Sequence, residues 1–205
     1  MYLHDKDIIG SSISSVDKEL AKYIDDAIKS NSKQNKIIKW GDRKFEMVVQ
    51  DDLGVVYLLD ITRYANIEKK YKQERLAIGL IFIDNYDELS QAMGDQNLTN
   101  MSSYVQTTLS KYAGQFNSYL KRIDEDHFIL LTHMHDLAKM EDNKFSILDK
   151  VRTESSRKNM PLTLSIGIAF GSESLNEIAD QAQSNLDLAL GRGGDQVVVK
   201  QSGHA

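Results

Sequence analysis

Four side chains that could do chemistry, Arg122, Asp124, Asp126 and His127, fall within a stretch of six residues, and Asp84 follows directly on the apolar run 76–83. Carboxylates are hard oxygen donors, suited to a divalent cation held against phosphate groups. Asp84 and Asp126, both at strand ends in this reading, are the two that could share one cation. With Arg122, Asp124 and His127 they form the candidate nucleotide-binding set. The plainer alternatives are two solvated turn acids and a strand arginine paired with a neighbouring acid. A carboxylate about 4 Å from a phosphate repels it by roughly 1 to 4 kcal/mol unless a cation intervenes, so any phosphate bound here requires the metal.

Two further groupings carry less. His133-Met134-His135 would put two imidazoles on one face of a fraying strand end, but the sequence supplies no third ligand beside them. Gly191-Arg192-Gly193-Gly194-Asp195 could cradle phosphate, although a helix C-cap turning into a final strand accounts for the same glycines. Met93, Met101, Met134, Met140 and Met160 read as core fillers.

The elements that position these residues follow from periodicity and turn signals. A helix over 17–30, with Asp17 as its N-cap, precedes three β-rich runs, 36–40, 43–50 and 53–61, broken at Gly41-Asp42 and Asp51-Asp52-Leu53-Gly54. These read as an antiparallel meander. A charged helical connector, 62–75, leads into a second block. That block is expected to contain strands 76–83, 117–123, 127–133, 162–170 and 195–200 and helices 86–93, 97–113, 143–158 and 174–190. Asp124-Glu125-Asp126 joins two of the strands as a hairpin. The expected fold class is α+β, a sheet with helices on its faces.

Composition narrows the function. With 41% apolar residues among 205, the chain can build a core. Its net charge of −5 is spread along the sequence, so there is no basic stripe for a nucleic-acid backbone. It has no cysteine, hence no disulfide framework, thiolate nucleophile or cysteine-based zinc site, which suits a reducing, cytoplasmic setting. The apolar run 76–83 is far shorter than the roughly 20 residues of a membrane-spanning helix.

Several motifs resemble those of GGDEF-type nucleotide cyclases. Arg122-Ile123-Asp124-Glu125-Asp126-His127-Phe128 lies where that family has R-Y-G-G-D-E-F, and Phe82-Ile83-Asp84-Asn85-Tyr86-Asp87 where it has D-x-D-x-F-K. Gly94 falls on its G-H turn, Ser165-Ile166-Gly167-Ile168-Ala169 on S-I-G-V-A, and Ala189-Leu190-Gly191-Arg192 on its closing helix and G-R turn. The resemblance implies a cyclase-like domain over 76–200 that has lost its chemistry. Phe82 and His127 stand where the family has its two metal-binding acids, Asp124 and Glu125 replace the paired glycines, and Asp87 and Ser90 replace a phosphate-binding lysine and a base-reading asparagine.

Val56-Tyr57-Leu58-Leu59-Asp60-Ile61-Thr62, followed by a charged helix, is similar to the closing strand and exit of a PAS domain. This implies the C-terminal part of a PAS-like domain over 1–61, a signalling linker over 62–75, and the start of a further linker over 201–205. Some PAS domains bind haem; the resemblance makes Tyr2 and His4 the candidates to approach one, and neither is identified as an axial ligand. The combination resembles the membrane-bound cyclic-di-AMP phosphodiesterases of the GdpP type. In that family two transmembrane helices precede the PAS domain, and a manganese-dependent DHH/DHHA1 module follows the degenerate GGDEF domain. The expectation is a regulatory segment, homodimeric and acting on that downstream module, in a membrane protein that hydrolyses cyclic-di-AMP to the linear dinucleotide pApA. The alternative is a weak ATPase using ATP with Mg²⁺ at Asp84 and Asp126.

Overall fold

The structure is a computed structural model and describes residues 8–29, 35–92, 94–159, 161–171 and 174–203. Tyr2, His4, Met93 and Met160 lie outside the described residues. The chain divides into two compact units, Met1–Lys70 and Tyr71–Ala205.

In the first unit, a short turn of helix, α1 (Ile13–Val16), precedes α2 (Lys18–Lys29) and a three-stranded antiparallel sheet of β1 (Lys36–Trp40), β2 (Arg43–Gln50) and β3 (Val55–Asp60). Asp17 caps α2 as its residue type predicts, accepting a 2.9 Å bond from the Leu20 amide, while its other oxygen takes the Trp40 indole N–H at 2.9 Å. The Leu20 amide is the main reason its carboxyl is held below the ordinary value; burial opposes it. One carboxylate thus fixes both the start of the helix and its approach to β1. Ile38, Trp40, Phe45 and Met47 alternate onto a single sheet face and pack with Leu20. The opposite face leaves Ile37, Tyr57 and Leu59 exposed.

The helix α3 (Thr62–Glu74) follows β3, and the second unit then builds a five-stranded sheet in the order β5-β6-β4-β7-β8. These strands are β4 (Leu76–Ile83), β5 (Tyr119–Arg122), β6 (His127–His133), β7 (Leu164–Phe170) and β8 (Val197–Gln201). β4 sits at the centre, antiparallel to β6 and β7, and β8 runs parallel to β7. Both faces of β4 are covered over most of its length, which is why its sequence is a continuous apolar run without alternation.

One face carries Ala77, Ile81, Phe128, Leu130, Ile166 and Ile168 against α5 (Asp95–Gln115), α6 (Met134–Asp142) and α7 (Ile147–Arg157), through Leu109, Leu137, Met140 and Val151. On the other, Ile78 and Ala169 meet Ile178 and Ala182 of α8 (Leu175–Gly191). A Cβ at Gly167 would lie 2.1 Å from the Leu186 amide nitrogen, so the glycine of the Ser165–Ala169 motif is there to let α8 lie backbone-close on β7. The short helix α4 (Tyr86–Ala92) links β4 to α5.

One expectation fails. The helix expected over 143–158 is α7, which starts at Ile147, and α6 is an additional helix before it, separated from it by a turn in which Lys144 (φ 55°) and Phe145 (φ 47°) take left-handed backbone. No glycine marks that turn. Strand β6 ends at His133, as its expected span 127–133 has it, and His135 belongs to α6 rather than to a strand end. Among the described residues no helix is long and apolar enough to cross a membrane.

Candidate functional site

The hairpin between β5 and β6 is organised by its own side chains. Asp124 turns its Oδ1 inward to accept the amides of Asp126 and His127 at 3.2 and 2.8 Å, a local turn favoured by aspartate. Arg122 folds back over the loop: Nε donates to the Asp124 carbonyl at 2.7 Å, Nη2 to the Glu125 carbonyl at 2.6 Å and Nη1 to Ser102 Oγ on α5 at 2.5 Å. Its guanidinium also lies 5.8 Å from the centre of the Phe128 ring. The arginine is committed to the hairpin carbonyls and to α5, and the neighbouring-acid pairing expected for it is replaced by bonds to backbone.

His127 sets Nδ1 2.7 Å from Asp126 Oδ1 and 3.0 Å from Asp124 Oδ1, with its ring 4.7 Å from Phe82. Phe82 and His127 are register partners across β4 and β6, so the two replacements of metal-binding acids pack against each other, their rings tilted by 50°. Burial, then the hydrogen bond with Asp124, pushes the Asp126 carboxyl up. Asp124 moves the other way, because hydrogen bonds from Asp126 and from the turn amides outweigh its desolvation. On the far side of the loop, burial and then the Glu125 carboxylate raise the Tyr86 hydroxyl above the ordinary phenol range.

Asp124, Asp126 and His127 can each offer a ligand atom within 4.8 Å of the others, so these three could hold a cation. Asp84 does not join them. Its Oδ2 accepts the Thr163 hydroxyl at 2.8 Å and the Asp195 amide at 3.0 Å, tying the end of β4 to the loops before β7 and β8. Gly194 (φ 75°) makes room: a Cβ there would lie 2.9 Å from that oxygen. Asp195 in turn binds Arg152 Nε at 2.6 Å. The stretch 191–195 therefore ends α8 and receives Asp84. Ser90 bonds to the Asp87 carbonyl of its own helix at 2.8 Å.

The sequence reading missed Ser102, Thr163 and Arg152 as members of this region. Each lies between 20 and 79 residues from its partner, and no local pattern marks them. In the first unit, an open cleft of about 890 Å³ is lined by residues that include Arg43, Asp60, Arg63 and Lys70, which were not singled out.

Comparison with known proteins follows the same division. Residues 81–205 match the family described as cyclic-di-AMP phosphodiesterase GdpP-like, GGDEF domain, and residues 1–61 its GdpP-like PAS domain. The cyclic-di-AMP phosphodiesterase PdeA of Listeria monocytogenes is 40% identical over 98% of this chain and 30% of its own length. GdpP of Bacillus subtilis is 38% identical over 96% of this chain and 29% of its own length. The chain thus spans about 30% of the curated relatives it matches. The GGDEF domain of DgcB from Caulobacter crescentus, solved with c-di-GMP, superposes with a TM-score of 0.55 at 17% identity, covering 66% of this chain and 84% of that one. That likeness concerns the fold alone. The chain belongs to the GdpP-like cyclic-di-AMP phosphodiesterase family and comprises its PAS and GGDEF region.

Proposed function

We propose that this chain is the regulatory and sensory segment of a protein that hydrolyses cyclic-di-AMP to the linear dinucleotide pApA. The carrying observation is the self-occupied hairpin. Arg122 binds the Asp124 and Glu125 carbonyls, and Phe82 packs against His127 where two-metal chemistry would need two carboxylates. GTP cyclisation by the two-metal route is not supported by these groups.

Hydrolysis then belongs to sequence beyond this segment, for which a manganese-dependent DHH/DHHA1 module is the proposed partner in the same chain. The reading extends to membrane attachment through segments outside these residues, a cytoplasmic location for the segment, and no nucleic-acid partner. The domain limits proposed are 1–61 for the PAS-like part, 62–75 for the signalling linker and 76–200 for the degenerate GGDEF domain. A homodimer is proposed through the stripe of Tyr64, Ile67 and Tyr71, exposed at helical spacing on α3. Haem is proposed only for a complete PAS domain, since the described residues of the first unit include neither histidine nor cysteine. The test is cyclic-di-AMP turnover with Mn²⁺ by the full-length protein and by the 205-residue segment. The segment alone is expected to be inactive, and turnover by it overturns the reading.

A second reading, a weak metal-dependent ATPase, draws on the Asp124, Asp126 and His127 grouping. Mg²⁺ with ATP would be held at the hairpin, with Asp126 the carboxylate placed to serve it. Asp84 was proposed as its co-ligand, and its Oδ2 is engaged by Thr163 and Asp195. ATP turnover that survives alanine at both Asp84 and Asp126 would remove this assignment.

A further inference from the structure

The open cleft of about 890 Å³ in the first unit lies where the start of α3 meets β2 and the end of β3. Its walls are fixed to each other. The Ile61 amide donates to the Lys44 carbonyl at 2.9 Å and the Lys44 amide to Thr62 Oγ1 at 2.9 Å, so the first turn of α3 is pinned to the strand that carries Arg43. Arg63, Asn66 and Lys70 follow at intervals of three and four residues and line the cleft along one side of the helix. The stripe of Tyr64, Ile67 and Tyr71 is centred about 100° further round α3, with Ile67 bordering both, so the cationic wall is separate from the proposed dimer stripe.

The charges in the cleft do not balance. Arg43, Arg63 and Lys70 line it with one carboxylate, Asp60: three cations against one anion, an excess of two positive charges in a chain whose net charge is −5. That carboxylate is already engaged, since Oδ2 accepts from Arg43 Nη1 at 2.9 Å and Oδ1 from the Thr62 amide at 3.0 Å. Among the described residues no hydrogen bond or ion pair holds the exposed Arg63 guanidinium. A guanidinium is a planar fork of N–H donors that fits two oxygens of a phosphate, and an ammonium serves the same group as a point charge. Asn66 adds a neutral amide donor on the same side of the helix. An anion with two or more charges and several oxygens matches this set.

We propose that the cleft is a binding site for a phosphate-bearing small molecule, held by Arg63 and Lys70 of α3 and Arg43 of β2. The site is distinct from the β5–β6 hairpin and does not depend on which reaction the whole protein performs. A ligand there ties β2 to the first turns of α3. Because the ordered walls are already in place, little conformational freedom is lost on binding. The ion pair of Arg43 with Asp60, with side chains 45% and 38% exposed, is loose enough for Arg43 to share its charge with an incoming phosphate.

The test is calorimetric titration of inorganic pyrophosphate into the 205-residue chain, in metal-free buffer at constant ionic strength so that no cation at the hairpin contributes. Saturable binding is expected. Arg63→Gln, a change at an exposed side chain, should weaken it by about tenfold or more, the scale of one charge-assisted hydrogen bond, and Lys70→Gln should weaken it less. Lys111→Gln on α5 removes the same charge elsewhere and should leave the affinity unchanged. Hydrogen exchange at the Ala65 amide, which donates to the Ile61 carbonyl at 2.8 Å, should slow on saturation. No saturable response in either measurement, binding that Arg63→Gln leaves intact, or equal weakening by Lys111→Gln overturns the proposal.

Discussion

Arg122 places Nε 2.7 Å from the carbonyl oxygen of Asp124, so the arginine that aligns with the cyclase motif holds its own hairpin closed. The positions that would present an open glycine backbone to a nucleotide instead present two carbonyls bound by a cation from the same loop.

Removing that contact should therefore be felt in stability. Arg122→Ala leaves two hairpin carbonyls and Ser102 without their charged donor, and is expected to cost about 1 to 2 kcal/mol because the guanidinium is partly solvated. Arg122→Lys should recover little, since an ammonium cannot reproduce the fork that reaches three acceptors. Urea denaturation of the three proteins decides this; a lysine variant as stable as the original would show that charge alone is at work.

The glycines allow a sharper comparison. Gly167→Ala would put a methyl 2.1 Å from the Leu186 amide nitrogen and force α8 off β7, with an expected loss of about 3 kcal/mol or more. Gly114→Ala in α5, where a Cβ meets nothing within 4 Å, should stabilise by about 0.5 to 1 kcal/mol. Thermal unfolding of both variants checks the pair, and a harmless Gly167→Ala would mean that α8 does not lie where it is described.

The hairpin acids predict a pH effect of definite sign. The Asp126 carboxyl is raised above its ordinary value of 3.8, so the fold favours its protonated form. That contribution is complete below the ordinary value and is lost as pH rises through the raised one. Asp126→Asn, which mimics the protonated side chain, is therefore expected to be more stable than the unmodified chain at pH 7, by less than about 1 kcal/mol, with the advantage shrinking toward pH 4. Denaturation midpoints at the two pH values measure it, and an advantage that grows on acidification would reverse the assignment.

Cation binding at the hairpin can be separated from nucleotide turnover. If Asp124, Asp126 and His127 hold a cation, titration with Mn²⁺ alone should give saturable binding that Asp126→Ala removes and Asp84→Ala leaves in place, because Asp84 is engaged with Thr163 and Asp195. Loss of binding in Asp84→Ala instead would restore the Asp84 and Asp126 pairing expected from the sequence.

How far the sequence carried the reading depends on the range of the interactions involved. Strands β1, β4 and β6 were legible because alternation or an unbroken apolar run survives in short segments, and Asp17 announced its helix because a cap acts over three residues. Helix α6 was not legible. Of its three buried residues one is Asp136, which leaves only Leu137 and Met140 as an apolar signal, and the left-handed Lys144 and Phe145 separate it from α7 without a glycine to signal the turn. At the hairpin the residue types were visible but their partners were not: Asp84 meets Asp195 across 111 positions, a pairing that only the assembled sheet creates.

The central claim is that this region modulates a hydrolase without performing nucleotide chemistry at its own hairpin. The most direct measurement is the rate of cyclic-di-AMP hydrolysis with Mn²⁺ by the full-length protein carrying either Arg122 or Arg122→Ala, alongside the 205-residue segment alone. The account predicts a changed rate in the variant, continued hydrolysis in both full-length proteins, and none by the segment. Identical rates in the two full-length proteins, or turnover by the segment, would contradict it.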